Sequence, residues 1–216
     1  MKQSLTVRLA IAGLLLFSVS AALAQAPLPF SADMSTTSAN GNVNMKGKVF
    51  FSLPKFRMDM AETGQRQNAG PFGGKMSMIV DGDTKVAYML MPEQQMYMEF
   101  PTDANNPMTQ KTPKWQDFKG DPCAFNHEEG ATCKKVGTET VNGRSCDKWE
   151  ITDKKGSKTT LWIDQKMHFP IKTTDGQITT EFTNIKEGSQ DASLFKVPAG
   201  YRKFDASAFG QQQRPH

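Results

Sequence analysis

The chain has 216 residues, of which 38% are hydrophobic, and it carries 26 Lys and Arg against 22 Asp and Glu. That length suits one domain with a sizeable core. The charges are dispersed and nearly balanced, without the basic stripe that nucleic-acid binding requires, so nucleic acid is set aside as a partner.

The first segment, MKQSLTVR, is short and basic, and the apolar run LAIAGLLLFSVSAALA follows it. That run is too short to span a bilayer with margin, and Ala22-Leu23-Ala24 offers the small residues of a cleavage site. Together they read as a secretory signal peptide over residues 1–24, removed before Gln25. No Cys stands at the new terminus to take a lipid anchor, and no later segment is apolar enough to cross a membrane. A soluble exported protein is expected, with a single β domain over residues 25–205 and a disordered tail over 206–216.

From Phe30 onward the apolar residues recur with period two, the signature of strands. FSADMSTTS, NVNMKGKVFFSL, KFRMDMAE, KMSMIVD, TKVAYMLM and QMYMEF come first; SCDKWEITD, SKTTLWID, IKTTD and QITTEFTNIKE follow. Turn signals separate them, among them Asn40-Gly41, Leu53-Pro54, Asp81-Gly82, Pro92-Glu93 and Asp175-Gly176. Ten strands with mostly short connections imply a mainly β antiparallel meander. Two stretches interrupt it. Gly64 to Gly74 is a Gly-rich loop carrying Pro71-Phe72, and Pro101 to Cys133 is long and poorly periodic, as a lid or functional loop would be. Helix is expected only around Trp115, within Lys111 to Phe118, and in Asp191 to Phe195.

Four Met-x-Met pairs stand in consecutive predicted strands: Met58/Met60, Met76/Met78, Met89/Met91 and Met96/Met98. In KFRMDMAE, Phe56, Met58 and Met60 alternate with Arg57 and Asp59, so the methionine face is expected to be the buried one. The same alternation puts Met96, Met98 and Phe100 inward, and Met76, Met78 and Val80 inward against Ser77 and Asp81. Even-length hairpin loops then put Met76 and Met78 on one face with Ala87, Met89 and Met91, and set Met91 opposite Met96 and Met89 opposite Met98, giving one patch across three strands that Met58/Met60 extends; an odd-length loop would flip the face. Val86, Tyr88 and Leu90 make the back of TKVAYMLM apolar too, which implies a cover there, for which the long crossover segment is the candidate.

Methionine is unbranched, polarisable and adaptable. Such a patch fills a core, lines a wall for a flexible apolar ligand, or offers thioethers to a soft ion such as Cu(I). Against the metal stands the absence of a nearby His and the cost of burying a cation among apolar side chains.

Three cysteines, Cys123, Cys133 and Cys146, belong to the exported part, where disulfides persist. Cys123 with Cys133 would staple the polar loop AFNHEEGAT, leaving Cys146 a buried thiol; a Cys133–Cys146 bridge is the alternative. His127, His168 and His216 lack metal-ligand spacing, and Asp81-x-Asp83 reads as a hairpin turn more than a calcium loop. No nucleophile elbow, phosphate loop or dinucleotide fingerprint is present. No catalytic residue, metal or cofactor is therefore expected, and the chain does not read as an enzyme. Trp149 and Trp162 sit in alternating strands as core candidates, whereas Trp115 and Phe118 in the crossover are lid candidates.

FFSLPKFRMDM, MIVDGDTKVAYMLMPEQQMYMEF, GTETVNGRSCDKWEI and DASLFKVPAGYRKFD, in that order and spacing, resemble the LolA/LolB-like superfamily of periplasmic lipoprotein carriers and their uncharacterised relatives. The resemblance covers most of Phe30 to Phe204. It implies an open, half-closed antiparallel β-barrel with an apolar cavity partly lidded by short helices, and a role in shielding acyl chains from water. The wall of that cavity would be Phe56, Phe100 and the eight paired methionines. LolA-type carriers open with an amphipathic helix, where only QAPLP precedes Phe30 here, and their basic latch residue is matched by Leu53. Phe72 stands where LolB-type receptors present an exposed apolar tip to the membrane. The expected partners are thus an apolar ligand or lipidated protein, with transient membrane contact. Cu(I) binding and an envelope-stress module that captures a peptide edge are the alternatives.

Overall fold

The computed structural model describes residues 27–61, 75–102, 120–125 and 130–204. Six strands form the first half: β1 (Phe30–Ser38), β2 (Asn44–Ser52), β3 (Lys55–Ala61), β4 (Met76–Asp81), β5 (Val86–Met91) and β6 (Met96–Pro101). A one-turn helix, α1 (Pro122–Phe125), leads into β7 (Thr132–Val141), β8 (Arg144–Thr152), β9 (Lys158–Asp164), β10 (Phe169–Thr174) and β11 (Ile178–Glu187). A 3₁₀ turn over Ala192–Phe195 and the short β12 (Arg202–Lys203) close the chain. The expected signal peptide, the Phe72 loop, the Trp115 and Phe118 segment and the tail lie outside the described residues. No helix among the described residues is long and apolar enough to cross a membrane.

All twelve strands join one open sheet, in the order β12-β6-β5-β4-β3-β2-β1-β11-β10-β9-β8-β7. Neighbours are antiparallel except for β12, which lies parallel to β6. The sheet is the curved, unclosed antiparallel meander that the sequence implied. Two strands escape the periodicity argument. Strand β7 is exposed at most positions, so its sequence TCKKVGTETV carries no apolar alternation to read. It is an edge strand, and a bulge at Lys135/Gly137 with Lys134 and Lys135 beside it blunts that edge against pairing with other chains. Strand β12 has only two residues.

The hairpins follow turn chemistry. Asn142 and Gly143, with φ of 51° and 76°, make the two-residue link between β7 and β8 that needs left-handed backbone at both positions. Asp81 turns β4 into β5 by accepting the N–H groups of Asp83 and Thr84, so it acts as a hairpin residue. Gly82 donates its N–H to the Pro54 carbonyl at 3.0 Å, joining this turn to that between β2 and β3; a Cβ at Gly82 would stand 2.8 Å from the same oxygen.

The main core gathers Phe30, Ala32 and Met34 of β1, Val49 and Phe51 of β2, and Cys146, Trp162, Phe169 and Ile171 from the far strands, with Met167 from the turn before β10. Phe30 stacks on Phe51, and Phe169 meets both at about 60°, with ring centroids 4.8–5.4 Å apart. The Asp164 carboxylate, 2% exposed, accepts the N–H groups of Lys166 and Met167 and binds Arg144, whose other arm holds Glu187. Trp149 is half-buried, and its Nε1 is buried without a hydrogen-bond partner among the described residues.

A second, smaller cluster lies on the other face of β4 and β5. Ile79 and Leu90 pack with Phe195, and around them stand Phe50, Tyr88, Tyr97, Leu194, Val197 and Tyr201. Among the described residues the cover over the back of β5 is the C-terminal segment, whereas most of the crossover that the sequence suggested lies outside them. The Asp191 side chain caps the 3₁₀ turn by accepting the Ser193 N–H, and Arg57 Nη1 donates to the Leu194 carbonyl at 2.9 Å, fixing that cover to β3.

Candidate functional site

The registers of β2 through β6 contain no bulge, so side-chain rows run straight across them. One row reads Val49, Met58, Met78, Met89, Met98, each directly opposite the next. A second holds Met60 opposite Met76 and Met91 opposite Met96. The third reads Phe51, Phe56, Val80, Ala87, Phe100. The hairpin loops that set this parity have four residues each, 82–85 and 92–95, and the even length is what keeps the methionines together.

All eight paired methionines thus share one face with Phe56 and Phe100. The same face carries Val49 and Phe51 of the main core, and Phe56 and Met58 pack against that core. Away from it the wall opens: Met60, Met76, Met78, Met89, Met96 and Met98 are half-buried, while Met91 is 1% exposed.

The expectation that the methionine face is the buried one is corrected on β4, whereas on β6 Glu99 is exposed and Met96, Met98 and Phe100 are half-buried, as expected. On the opposite face Ser77, Ile79 and Asp81 are 5%, 0% and 8% exposed. The C-terminal segment covers that face, and Lys55 Nζ sits 2.8 Å from Asp81. Arg57 and Asp59, read as solvent-facing, pair with each other at 2.7 Å, and Arg57 also reaches the cover through the Leu194 carbonyl. Burial pushes the Asp81 carboxyl up, but the hydrogen bond from Lys55 and those from the Thr84 and Asp83 N–H groups outweigh it and hold it below the usual carboxylate range.

Gly47 is a wall residue that the sequence reading passed over. It lies in β2 between Met34 and Met60, and a Cβ there would meet the Asp59 carbonyl at 2.5 Å. Glycine inside an alternating strand is the available signal for so close a backbone approach. Leu53, at the latch position of the resemblance, packs against the main core.

Cys123 and Cys133 form a disulfide that ties α1 to the start of β7, with Cα atoms 5.4 Å apart. Cys146 is a buried free thiol whose pKa burial pushes up to about 11, so it stays protonated at neutral pH. Among the described residues no group of three His, Cys, Asp or Glu could hold a metal ion. Phe72, Trp115 and Phe118, the lid or membrane-contact candidates, fall outside the described residues. A polar depression of about 420 Å³ lies away from the wall, at the β1–β11 bulge; its Asp33 is already engaged by Lys48 and Asn184.

Solved structures share this architecture. An uncharacterized conserved protein from Thermus thermophilus aligns with a TM-score of 0.53 at 11% identity, over 82% of this chain and 90% of the other. A chain in the MucA/MucB complex of Pseudomonas aeruginosa aligns with a TM-score of 0.50 at 14% identity, over 82% of this chain but only 57% of that one. A LolA superfamily protein from Nitrosomonas europaea aligns at 0.33 and 10% identity, over 80% and 90% of the two chains. For the first two the likeness is one of fold. No curated protein matches the sequence. Residues 31–168, which contain the whole methionine wall, match the family described as Domain of unknown function (DUF4412), and the chain belongs to that family.

Proposed function

We propose that this chain is an exported periplasmic binding protein that holds an acyl chain, free or carried by a lipidated protein, against the methionine wall. One observation carries the reading: six half-buried methionines form a continuous apolar surface on one face of β3–β6, while on the other face the protein's own C-terminal segment covers Ile79 and Leu90 of β4 and β5. Thioether side chains repack around a flexible ligand at little cost, which suits acyl chains of varied length. Each buried methylene contributes about 0.8 kcal/mol, so roughly eight of them would set about 6 kcal/mol against the entropy of ordering the ligand. The leader-like residues 1–24 support export, and the role is binding rather than catalysis.

The test is to purify the exported protein, extract it and identify bound lipid by mass spectrometry, then titrate the stripped protein with a fluorescent fatty acid. Saturable uptake that Met78→Asp weakens by roughly tenfold or more supports the reading, since an unpaired carboxylate in the wall must be desolvated by the ligand. A lipid-free protein that takes up no probe sinks it. Tight Cu(I) binding lost on substituting Met89 and Met98 would favour thioether metal binding instead.

A further inference from the structure

We propose that the methionine wall is also a reversible oxidation site, at which a hydroperoxide converts thioethers to sulfoxides and thereby releases the apolar ligand; this rests on the binding reading above. A row of Val or Ile would satisfy strand preference better than methionine does, so the residue choice brings something that aliphatic side chains lack. Softness is one such property and two-electron redox chemistry is another. In the reaction the sulfur lone pair attacks one peroxide oxygen, the S–O bond forms as the O–O bond breaks, and the leaving oxygen takes the proton to depart as water or an alcohol. The sulfur loses two electrons and the peroxide gains them.

The placement gives the chemistry both access and consequence. Met58, Met78, Met89 and Met98 are half-buried, whereas Met34, Met91 and Met167 are 5%, 1% and 0% exposed, so one chain contains both the reactive set and its protected control. The rows on either side of Met78 and Met89 are built from Phe, Val, Ala and Met, none of which offers a side-chain donor. A sulfoxide oxygen there must keep its hydrogen bonds to water, which an acyl chain lying on the wall would remove. Reduction of the sulfoxide restores the apolar surface.

The experiment treats the full exported protein with hydrogen peroxide, maps oxidation by peptide mass spectrometry over time, and measures fluorescent fatty-acid affinity before oxidation, after it, and after incubation with methionine sulfoxide reductases. Expected are oxidation of the four wall residues roughly tenfold or more ahead of the three buried ones, a roughly tenfold or greater loss of probe affinity, and its recovery on reduction. The variant with all seven half-buried wall methionines, Met58, Met60, Met76, Met78, Met89, Met96 and Met98, changed to Leu has its own probe affinity measured first as the reference, and peroxide should then cause it no further loss. Wall and buried methionines oxidising at equal rates, affinity that survives full oxidation, or peroxide sensitivity that persists in the Leu variant would each overturn the switch while leaving the binding reading intact. Untreated protein that binds no probe overturns the binding reading, and the switch with it.

Discussion

Strands β1 and β2 and strands β3 to β6 share one face of one sheet, yet they use it in opposite ways. Around β1 and β2 the side chains are Phe30, Ala32, Val49 and Phe51, all 0–2% exposed and locked against rings from the far strands. Four strands further along the same rows, the face is methionine and half open. Backbone continuity therefore does not enforce one kind of packing. Stiff, shape-specific residues sit where the sheet curls onto itself, and adaptable ones where it does not.

The comparison breaks most readily by truncation. Phe51→Ala is expected to cost about 3–5 kcal/mol in urea denaturation, and Met78→Ala about 1 kcal/mol, because only the first leaves a sealed cavity. Equal costs would show that the wall is ordinary core. Replacing Cys123 and Cys133 by Ser should remove about 2–3 kcal/mol, as loop-closure entropy predicts, while leaving fatty-acid uptake unchanged; altered uptake would tie α1 to the wall. Asp164→Asn is expected to lose about 2 kcal/mol, read from the same denaturation curves, since it weakens a charge-assisted contact to Arg144 in the closed half.

Acid should draw on both halves. The hydrogen bonds from Lys166 and Arg144 hold Glu187 below its ordinary pKa, and Asp81 is held low as described above. A carboxylate depressed in the folded state contributes stability that is present above its unfolded pKa of roughly 4 and is lost as pH falls through the lower folded value. Melting curves taken at falling pH should therefore drop below about pH 4. Asp81→Asn should flatten part of that drop, and an unchanged profile would assign the acid sensitivity elsewhere. The smallest effect is expected for Met89→Leu, within about 1 kcal/mol, because volume and apolarity are conserved at a half-open site.

Much of the wall was legible in the sequence, because period-two alternation and even-length loops fix which faces meet, and Met78, Met89 and Met98 share a row as that arithmetic allows, with Met58 extending it. Which face would be covered was not legible from the same segment. Ile79 and Leu90 are buried by Leu194 and Phe195, more than a hundred residues further along the chain, and no local pattern announces so distant a partner. Strand β7 escaped notice for the converse reason: it is held by hydrogen bonds to β8 with almost no apolar burial of its own.

The contact between Arg57 and the Leu194 carbonyl spans 137 positions, and after it the chain runs on to lay Arg202 and Lys203 along the edge of β6. The strands of the wall are made early in synthesis, but the residues that seal their back and shield their edge come near the end. A nascent chain that has not yet delivered Asp191 to Phe204 would present Ile79, Leu90 and an unprotected β6 edge to its surroundings. Cleavage before Asp191 would therefore leave Ile79 and Leu90 uncovered and the β6 edge unpaired, a half-built sheet open to aggregation.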